Sequence, residues 1–266
     1  MRFGVIQLNS KLDPEENLNK IEMYLAHAVK ETCSAVFLPE VFYSMSNGLE
    51  ATPYLIENEN EHYKKIQNLA KKYKIYLLGG SAATKVGNQI INRTYNFSDK
   101  GAALKNYDKI HLFSCDLSKH QSKKVIDENR IYDPGTDPVI DDVLGWKIGY
   151  SICFDVRFPE LYRYYRSQGV QIFTAAAAFT VPTGDAHWKT LLRSRAIENQ
   201  AYVFASAQWG YHNEQIQTYG HSMIIDPWGT VLAELPEGEG LIFADVDKSR
   251  LDEIRSRVNM TQKFHY

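Results

Sequence analysis

Short apolar runs alternate along this chain with longer segments whose apolar residues recur every three to four positions. The first pattern predicts buried strands and the second predicts amphipathic helices. After Pro14, for example, Leu18, Ile21 and Leu25 recur at helical spacing. In the first half, strands are predicted at residues 3–8, 35–38, 75–78, 94–97 and 102–106, and helices from Pro14 onward and at residues 61–73.

The second half repeats this alternation. Strands are predicted at residues 146–152, 170–176, 202–207, 222–225 and 241–245, and helices at residues 159–168, 187–199 and 248–257. Strands that alternate with helices are typical of α/β layers, and two similar halves predict two packed sheets with helices outside. No linker-like composition divides the chain, so residues 1–266 are predicted to form a single domain. The polar stretch at residues 107–138 has little periodicity, which is typical of a functional or disordered segment.

The composition limits the class of protein. Of the 266 residues, 44% are hydrophobic, and 30 Lys and Arg nearly balance 32 Asp and Glu. The concentrated basic face of a nucleic-acid-binding domain is not visible, and no apolar run approaches the ~20 residues that span a membrane. A strand predicted almost at Met1 leaves no room for a signal peptide, so we expect a cytoplasmic protein that binds neither nucleic acid nor membrane. Three cysteines cannot all pair within one chain, which predicts at least one free thiol.

Cys153 stands where a nucleophile would be exposed. It ends the predicted strand KIGYSIC and precedes FDVRFPE, whose proline starts the next helix. At a strand-to-helix turn, the backbone amide of the following residue, Phe154, can point at an oxyanion. A lone cysteine is more often a buried small hydrophobe, so the hypothesis depends on its companions.

Two charged residues could supply what a cysteine nucleophile needs. Glu40 ends the apolar segment AVFLPE and could be the general base that removes the thiol proton, although a capping or solvated carboxylate fits the pattern as well. Lys109, in NYDKIHLF, could lower the thiol pKa and stabilise an oxyanion, although a loop lysine is usually solvated.

These segments, in this order, closely resemble the carbon–nitrogen hydrolase (nitrilase-like) superfamily. GVIQLNS near the start, AHWKTLLRSRAIENQAYV and YGHSMIIDPWGTV also resemble that family. Glu128, which lies just ahead of a Pro-Gly pair, matches a second glutamate of the family. The resemblance implies an α/β fold in the form of a four-layer αββα sandwich, packed as homodimers or larger assemblies, with no metal and no organic cofactor.

Within the superfamily, the chain is most similar to the branch of deaminated glutathione amidases and ω-amidases. The likeness rests on Pro159 and on residues 206–223, whereas residues 114–127 are idiosyncratic for the branch. It implies an amidase whose small-molecule substrate is a carboxylate-bearing α-keto acid amide, most closely deaminated glutathione, converted to acid and ammonia through a Cys153 thioester. The alternative is an ω-amidase acting on α-ketoglutaramate or α-ketosuccinamate.

The resemblance also implies a division of roles. Glu40 would move the protons, Lys109 and the Phe154 amide would hold the oxyanion, and Glu128 would orient Lys109.

A second group of residues is predicted to select the substrate. Arg157 is suited to a substrate carboxylate because guanidinium pairs with carboxylates through two hydrogen bonds, although a structural ion pair with Glu160 is an alternative. By resemblance, Phe179 and Thr183 line the same pocket.

Three other interpretations remain open. His111, His187 or His221 could be the base of a Cys–His hydrolase. His111, Cys115 and His120 could bind zinc, although they lack the paired spacing of a zinc site. The third is a catalytically idle binding or scaffold protein of the same fold, which has no use for a buried thiol, two carboxylates and an ammonium in one place.

Overall fold

The computed structural model describes residues 1–116 and 125–260, which form two facing β-sheets flanked by helices. The helices are α1 Pro14–Lys30, α2 Glu61–Tyr73, α3 Pro159–Ser167, α4 Val181–Asn199 and α5 Lys248–Arg257. The strands are β1 Arg2–Gln7, β2 Ala35–Phe37, β3 Tyr76–Leu78, β4 Ser81–Val86, β5 Gln89–Thr94, β6 Ser114–Asp116, β7 Val125–Asp127, β8 Ile140–Val143, β9 Trp146–Gly149, β10 Ile172–Ala177, β11 Tyr202–Ala207, β12 Trp209–Tyr211, β13 Gln217–Tyr219, β14 Ser222–Ile225, β15 Val231–Leu235 and β16 Gly240–Asp245. Two 3₁₀ turns span Glu128–Arg130 and Cys153–Arg157.

Each sheet has a parallel centre extended by antiparallel strands. In the first sheet, ordered β16-β1-β2-β3, the strands β1 to β3 are parallel, and β16 pairs antiparallel with β1. In the second, ordered β15-β14-β11-β10-β9-β8, the strands β9 to β11 are parallel. Parallel neighbours need a crossover connection, usually a helix. This requirement accounts for the alternation of strand and helix patterns in the sequence.

The two sheets pack face to face through aromatic rings. Phe37 of β2 stacks on Phe204 of β11 with ring centroids 4.7 Å apart, and Phe3 of β1 packs edge-on against both rings. Helices α1 and α2 bury their apolar faces against the outer side of the first sheet, and α3 and α4 cover the second. The order of layers is helix, sheet, sheet, helix, which confirms the predicted αββα sandwich. None of the described helices is both long enough and apolar enough to cross a membrane.

Most predicted elements are present, with ends that differ by up to three residues, but three predictions were wrong. The strands predicted at 94–97 and 102–106 form only isolated bridges around Phe97, and the β4–β5 hairpin lies just before them. Helix α4 begins at Val181, six residues earlier than predicted. Strands β4 to β8, β12, β13 and β15 were not predicted.

Candidate active site

Cys153 lies at the carboxyl edge of the second sheet. Ile152 forms a parallel bridge with Ala176 of β10, and the chain then enters the 3₁₀ turn that begins at Cys153. The φ angle of Cys153 is +50°, in the left-handed region that residues with a Cβ rarely occupy. The predicted strand-to-helix turn is present, and its backbone is strained at the residue that carries the thiol.

Asp155 holds this turn in place. Its fully buried carboxylate accepts hydrogen bonds from the Ile152 N–H at 2.8 Å, the Tyr107 hydroxyl at 2.8 Å and the His111 N–H at 3.0 Å. The Nδ1 atom of His111 lies 2.7 Å from the same carboxylate. Asp155 therefore ties the thiol-bearing turn to the polar segment around His111.

Lys109 joins two carboxylates. Its Nζ lies 2.8 Å from one oxygen of Glu40 and 2.9 and 2.7 Å from the two oxygens of Glu128. Asn92 of β5 holds both Glu40 and Lys109. Its side-chain Nδ2 donates to the Glu40 carboxylate at 2.9 Å, and its main-chain carbonyl accepts a hydrogen bond from the main-chain N–H of Lys109 at 2.9 Å. The Phe113 N–H donates to Glu128 at 2.8 Å. Lys109 is fully buried and Glu40 is 2% exposed, whereas the Glu128 side chain is 20% exposed. Lys109 and Glu40 are therefore held away from bulk water, and Glu128 is partly open to it.

The carboxylates keep Lys109 charged. Burial lowers the pKa of Lys109, but the negative charges of Glu128 and Glu40 outweigh this effect and leave that pKa well above its ordinary value. Burial raises the pKa of Glu128, and the charge of Glu40 raises it further, against the opposing effect of Lys109. The cluster is therefore an ammonium between two carboxylates, one of which takes up a proton more readily than a solvated glutamate.

The thiol of Cys153 is protonated at rest. Burial raises its pKa well above the ordinary value, and the negative charge of Glu40 adds to this effect. Lys109 lowers the pKa, as predicted from the sequence, and so does a hydrogen bond from the Ala178 backbone, but burial and Glu40 outweigh both. A base must therefore accept the thiol proton when the sulfur attacks.

Two cavities open onto the sulfur. The wide cavity has a volume of about 200 Å³, and Glu40, Glu128 and Tyr132 form part of its wall. The narrow cavity is lined by Phe154 and by the residues predicted to select the substrate, Arg157, Phe179 and Thr183. Both cavities are lined by Phe113, Cys153, Ala178 and Thr180.

Arg157 lies in the narrow cavity between two aromatic rings. Its guanidinium carbon is 5.6 Å from the ring centroid of Phe154 and 5.2 Å from that of Phe179. Its Nη1 is 3.2 Å from Nδ1 of His187. Burial lowers the pKa of Arg157, although guanidinium remains charged at neutral pH. The structure thus brings the predicted substrate-selecting residues together, and their role remains a prediction.

None of the contacts described for the three candidate histidines is with the thiol of Cys153. His111 stacks on Phe158 with ring centroids 3.6 Å apart, and His221 stacks on Tyr219 with its Nδ1 3.0 Å from that residue's carbonyl oxygen. His187 is exposed beside the guanidinium described above. Glu40 and Glu128, by contrast, line one cavity with Cys153, which makes a carboxylate the better candidate for the base.

The described residues do not form the zinc site that the sequence allowed. His120 lies outside them, and the Nδ1 of His111 already contacts a carboxylate. Among the described residues, no group of three or more His, Cys, Asp or Glu side chains is placed to hold a metal ion.

Sequence reasoning did not identify three groups of the site: Asn92, Asp155 and the Ala178 backbone. Asp155 stands two residues after the cysteine in the same motif, and an acid directly after a buried strand is a signal that could have found it. Asn92 interrupts an apolar strand, and nothing local indicates its distant partner. A backbone amide leaves no signal in the sequence.

The fold and the site together define a class, an αββα hydrolase with a cysteine beside a glutamate–lysine–glutamate cluster. Residues 2–256 match the model of the family described as carbon-nitrogen hydrolase. The chain belongs to the carbon–nitrogen hydrolase family, and the resemblance predicted from the sequence is confirmed.

Named relatives agree with this class. The chain is 37% identical over 270 residues to the deaminated glutathione amidase of Dictyostelium discoideum, covering 97% of this chain and 91% of that protein. It is 32% identical over 257 residues to the human omega-amidase NIT2, covering 97% and 92%. The nitrilase and fragile histidine triad fusion protein NitFhit of Caenorhabditis elegans is 38% identical over 259 residues, 95% of this chain. Its crystal structure gives a TM-score of 0.85 at 36% identity over 96% of this chain.

The chain spans 58% of the length of NitFhit and 63% of the crystallised NitFhit chain. The match therefore concerns only part of that fusion protein. The predicted class of enzyme, a carbon–nitrogen hydrolase acting on amides, is confirmed by the family and by the amidase names of the other two relatives.

Proposed function

We propose that this chain hydrolyses a carboxylate-bearing α-keto acid amide, with deaminated glutathione as the preferred substrate. The observation that carries the proposal is the placement of the Cys153 thiol in one cavity with Glu40, whose carboxylate is bonded to the buried ammonium of Lys109. The name of the Dictyostelium discoideum relative supports the choice of deaminated glutathione.

In the first half of the reaction, the sulfur of Cys153 attacks the amide carbonyl carbon as Glu40 accepts the thiol proton. Negative charge develops on the carbonyl oxygen, and Lys109 and the backbone amide of Phe154 are the proposed groups that stabilise it. Glu128 keeps Lys109 in place. The carbon–nitrogen bond then breaks, and Glu40 returns the proton to the departing nitrogen.

In the second half, a thioester joins the acyl group to Cys153. Glu40 accepts a proton from water as the water attacks the thioester carbonyl. The carbon–sulfur bond then breaks, the acid is released, and Glu40 returns the proton to the sulfur of Cys153. The leaving group depends on the substrate. A primary amide releases ammonia, as predicted from the sequence, but the amide nitrogen of deaminated glutathione carries cysteinylglycine, so for that substrate an amine departs.

Arg157 is the proposed partner of the substrate carboxylate. It lines the narrow cavity, and the carbon of its planar guanidinium lies over the rings of Phe154 and Phe179. Bidentate pairing with a carboxylate uses that planar geometry.

Parallel kinetics test the proposal. Release of the α-keto acid is measured with deaminated glutathione and with α-ketoglutaramate, and kcat/KM is expected to be at least about tenfold higher for the first, roughly 1.4 kcal/mol of transition-state binding. Arg157→Ala should impair both substrates, and Arg163→Ala, at an exposed position of α3, serves as the control. A preference for α-ketoglutaramate supports the ω-amidase alternative. Failure to turn over either substrate refutes the proposed substrate class.

We also propose that the chain acts as a homo-oligomer in the cytoplasm, on the basis of the family resemblance. Light scattering of the purified protein and fractionation of cells test these two statements separately.

A further inference from the structure

The two oxygens of the Glu40 carboxylate have different surroundings. Nζ of Lys109, at 2.8 Å, and Nδ2 of Asn92, at 2.9 Å, donate to the same oxygen, Oε1. A carboxylate oxygen offers two lone pairs to hydrogen-bond donors, so these two donors occupy both acceptor positions of Oε1. A proton that arrives at Glu40 must therefore go to the other oxygen, Oε2.

The position of Asn92 beside Glu40 is set by contacts that do not involve its side chain. The main-chain carbonyl of Asn92 accepts the N–H of Lys109, and the guanidinium of the next residue, Arg93, pairs with the Asp108 carboxylate at 2.6 and 2.8 Å. Side chains alternate along a strand, so this ion pair lies on the face opposite Asn92. A change of the Asn92 side chain should therefore leave the alignment of the two segments intact.

The carbonyl end of the Asn92 side chain has no comparable contact. Oδ1 is buried and accepts a hydrogen bond from none of the described residues, and Asn92 as a whole is 1% exposed. A buried acceptor that stays unpaired is destabilising, and an apolar side chain of similar size would avoid this effect. Stability does not explain an amide at this position, whereas the hydrogen bond from Nδ2 to the proposed base does.

Four other ionisable side chains among the described residues influence the charge of Glu40: Lys109, Glu128, Cys153 and Tyr132. Burial raises the pKa of Cys153 and of Tyr132, so both are uncharged at neutral pH. The charge of Glu128 disfavours the ionised form of Glu40, and Lys109 and the Nδ2 donor of Asn92 favour it. Loss of this donor should therefore raise the pH at which Glu40 takes up a proton.

We propose that Asn92 is a positioning residue that reserves Oε2 of Glu40 for proton transfer. The inference rests on the proposed function, in which Glu40 is the base. As the sulfur attacks, the S–H bond of Cys153 breaks and an O–H bond forms at Oε2, while Oε1 keeps both of its hydrogen bonds. Oε2 then passes this proton to the departing nitrogen, and the carboxyl group need not turn between the two transfers.

Two variants of nearly native shape test this role through the pH profile of kcat/KM, whose acid limb is the fall in kcat/KM towards low pH. Asn92→Leu removes the donor. It should move the acid limb up by about one to two pH units and lower kcat at least about tenfold. In Asn92→Asp, the new carboxyl group donates only while it is protonated, so activity should fall as the pH rises. The pH at which a limb lies does not depend on the folded fraction of a variant.

Asn88→Leu is the matched control. Asn88 is exposed in the two-residue turn between β4 and β5, so the same substitution is made in the same hairpin. Its acid limb should lie at the native pH. Glu40→Gln should be inactive, because it removes the base itself.

A second measurement needs no substrate. Infrared titration follows the C=O stretch of protonated Glu40, which is identified by its absence from the spectrum of Glu40→Gln. In Asn92→Leu this band should appear at a higher pH than in the native protein, by the same interval as the acid limb. In Asn88→Leu it should appear at the native pH.

The kinetic profiles are measured as release of the α-keto acid from deaminated glutathione. An acid limb and an infrared band that stay at the native pH in Asn92→Leu overturn the inference, and so does an equal shift in Asn88→Leu. If the native protein does not hydrolyse this amide, the proposed substrate fails, and the infrared titration still supports or overturns the inference. Full activity of Glu40→Gln overturns the proposed reaction and the inference together.

Discussion

Replacing Lys109 by methionine should expose how strongly the buried charge cluster depends on its ammonium. In the native protein, Nζ lies 2.8 and 2.7 Å from two carboxylates and is shielded from water. Removing one partner of a buried ion pair costs about 3–5 kcal/mol, because the remaining charge is left uncompensated. We therefore expect Lys109→Met to lower the free energy of unfolding by about 3–5 kcal/mol at pH 8.

The loss of stability caused by Lys109→Met should depend on pH. Without the ammonium, Glu40 and Glu128 repel each other, and one of them has a folded-state pKa raised above the unfolded value of about 4.3. A group whose pKa is raised on folding contributes stability in full below its unfolded pKa, and this contribution is lost as pH rises through the folded pKa. In the native protein, Lys109 opposes the rise in the pKa of Glu128. The difference between variant and native protein should therefore be smaller at pH 5 than at pH 8.

Urea unfolding at both pH values measures these differences. Lys189→Met is the matched control, because Lys189 contacts Glu234 at 2.7 Å on the surface with 55% of its side chain exposed, and an exposed pair contributes at most about 1 kcal/mol. The double variant Lys109→Met/Glu128→Gln should regain part of the lost stability, because it removes one of the two opposed carboxylates. Two results would refute the energetic role of the charge cluster. One is an unchanged urea midpoint for Lys109→Met at pH 8, and the other is a double variant that is less stable than the single variant.

Other expectations follow from the same geometry. Cys153→Ala should abolish hydrolysis and the thioester adduct seen by mass spectrometry, while Cys33→Ala and Cys115→Ala keep most activity. Turnover by Cys153→Ala would exclude Cys153 as the nucleophile. Because burial and the charge of Glu40 raise the pKa of the Cys153 thiol, its alkylation by iodoacetamide should still accelerate above pH ~8.5. Glu40→Gln should move this rise to lower pH, and a plateau of the native rate below pH 8 would contradict the assignment. Asp155→Asn should reduce kcat about 10²-fold by misplacing the turn, measured at saturating amide, and an unaltered kcat would remove its positioning role.

Two of the proposed catalytic residues, Glu40 and Cys153, could be found in the sequence because each follows a short apolar run. Glu40 comes after β2 of the first sheet and Cys153 after the segment that bridges β10 of the second, and functional side chains collect at the carboxyl ends of parallel strands. Their order along the chain then matched a family pattern. Local pattern and chemistry agreed at these positions, so the prediction needed no knowledge of distant contacts.

At the positions that were predicted wrongly, the structure depends on contacts between residues far apart in the sequence. Asn92 bonds to a glutamate 52 residues away, and in the sequence it only interrupts an apolar run, so the β4–β5 hairpin was missed. The first turn of α4 contains Gly184, a poor helix former, which concealed the true start of the helix. In the structure the glycine is needed, because a Cβ there would lie 2.3 Å from the ring of Tyr219. Tertiary packing overrode local propensity at both places.

The pairing of β1 with β16 has a consequence for synthesis of the chain. Arg2 and Asp245 are partners across 243 positions, and a ribosome adds roughly 5–20 residues per second. For roughly 12 to 50 s, then, one edge of β1 has been made without the strand that covers it. An open apolar edge is a template for association with other chains. Newly made molecules should therefore depend on chaperones during this interval, and a chain shortened before Gly240 should aggregate even though every residue of the proposed catalytic site is present.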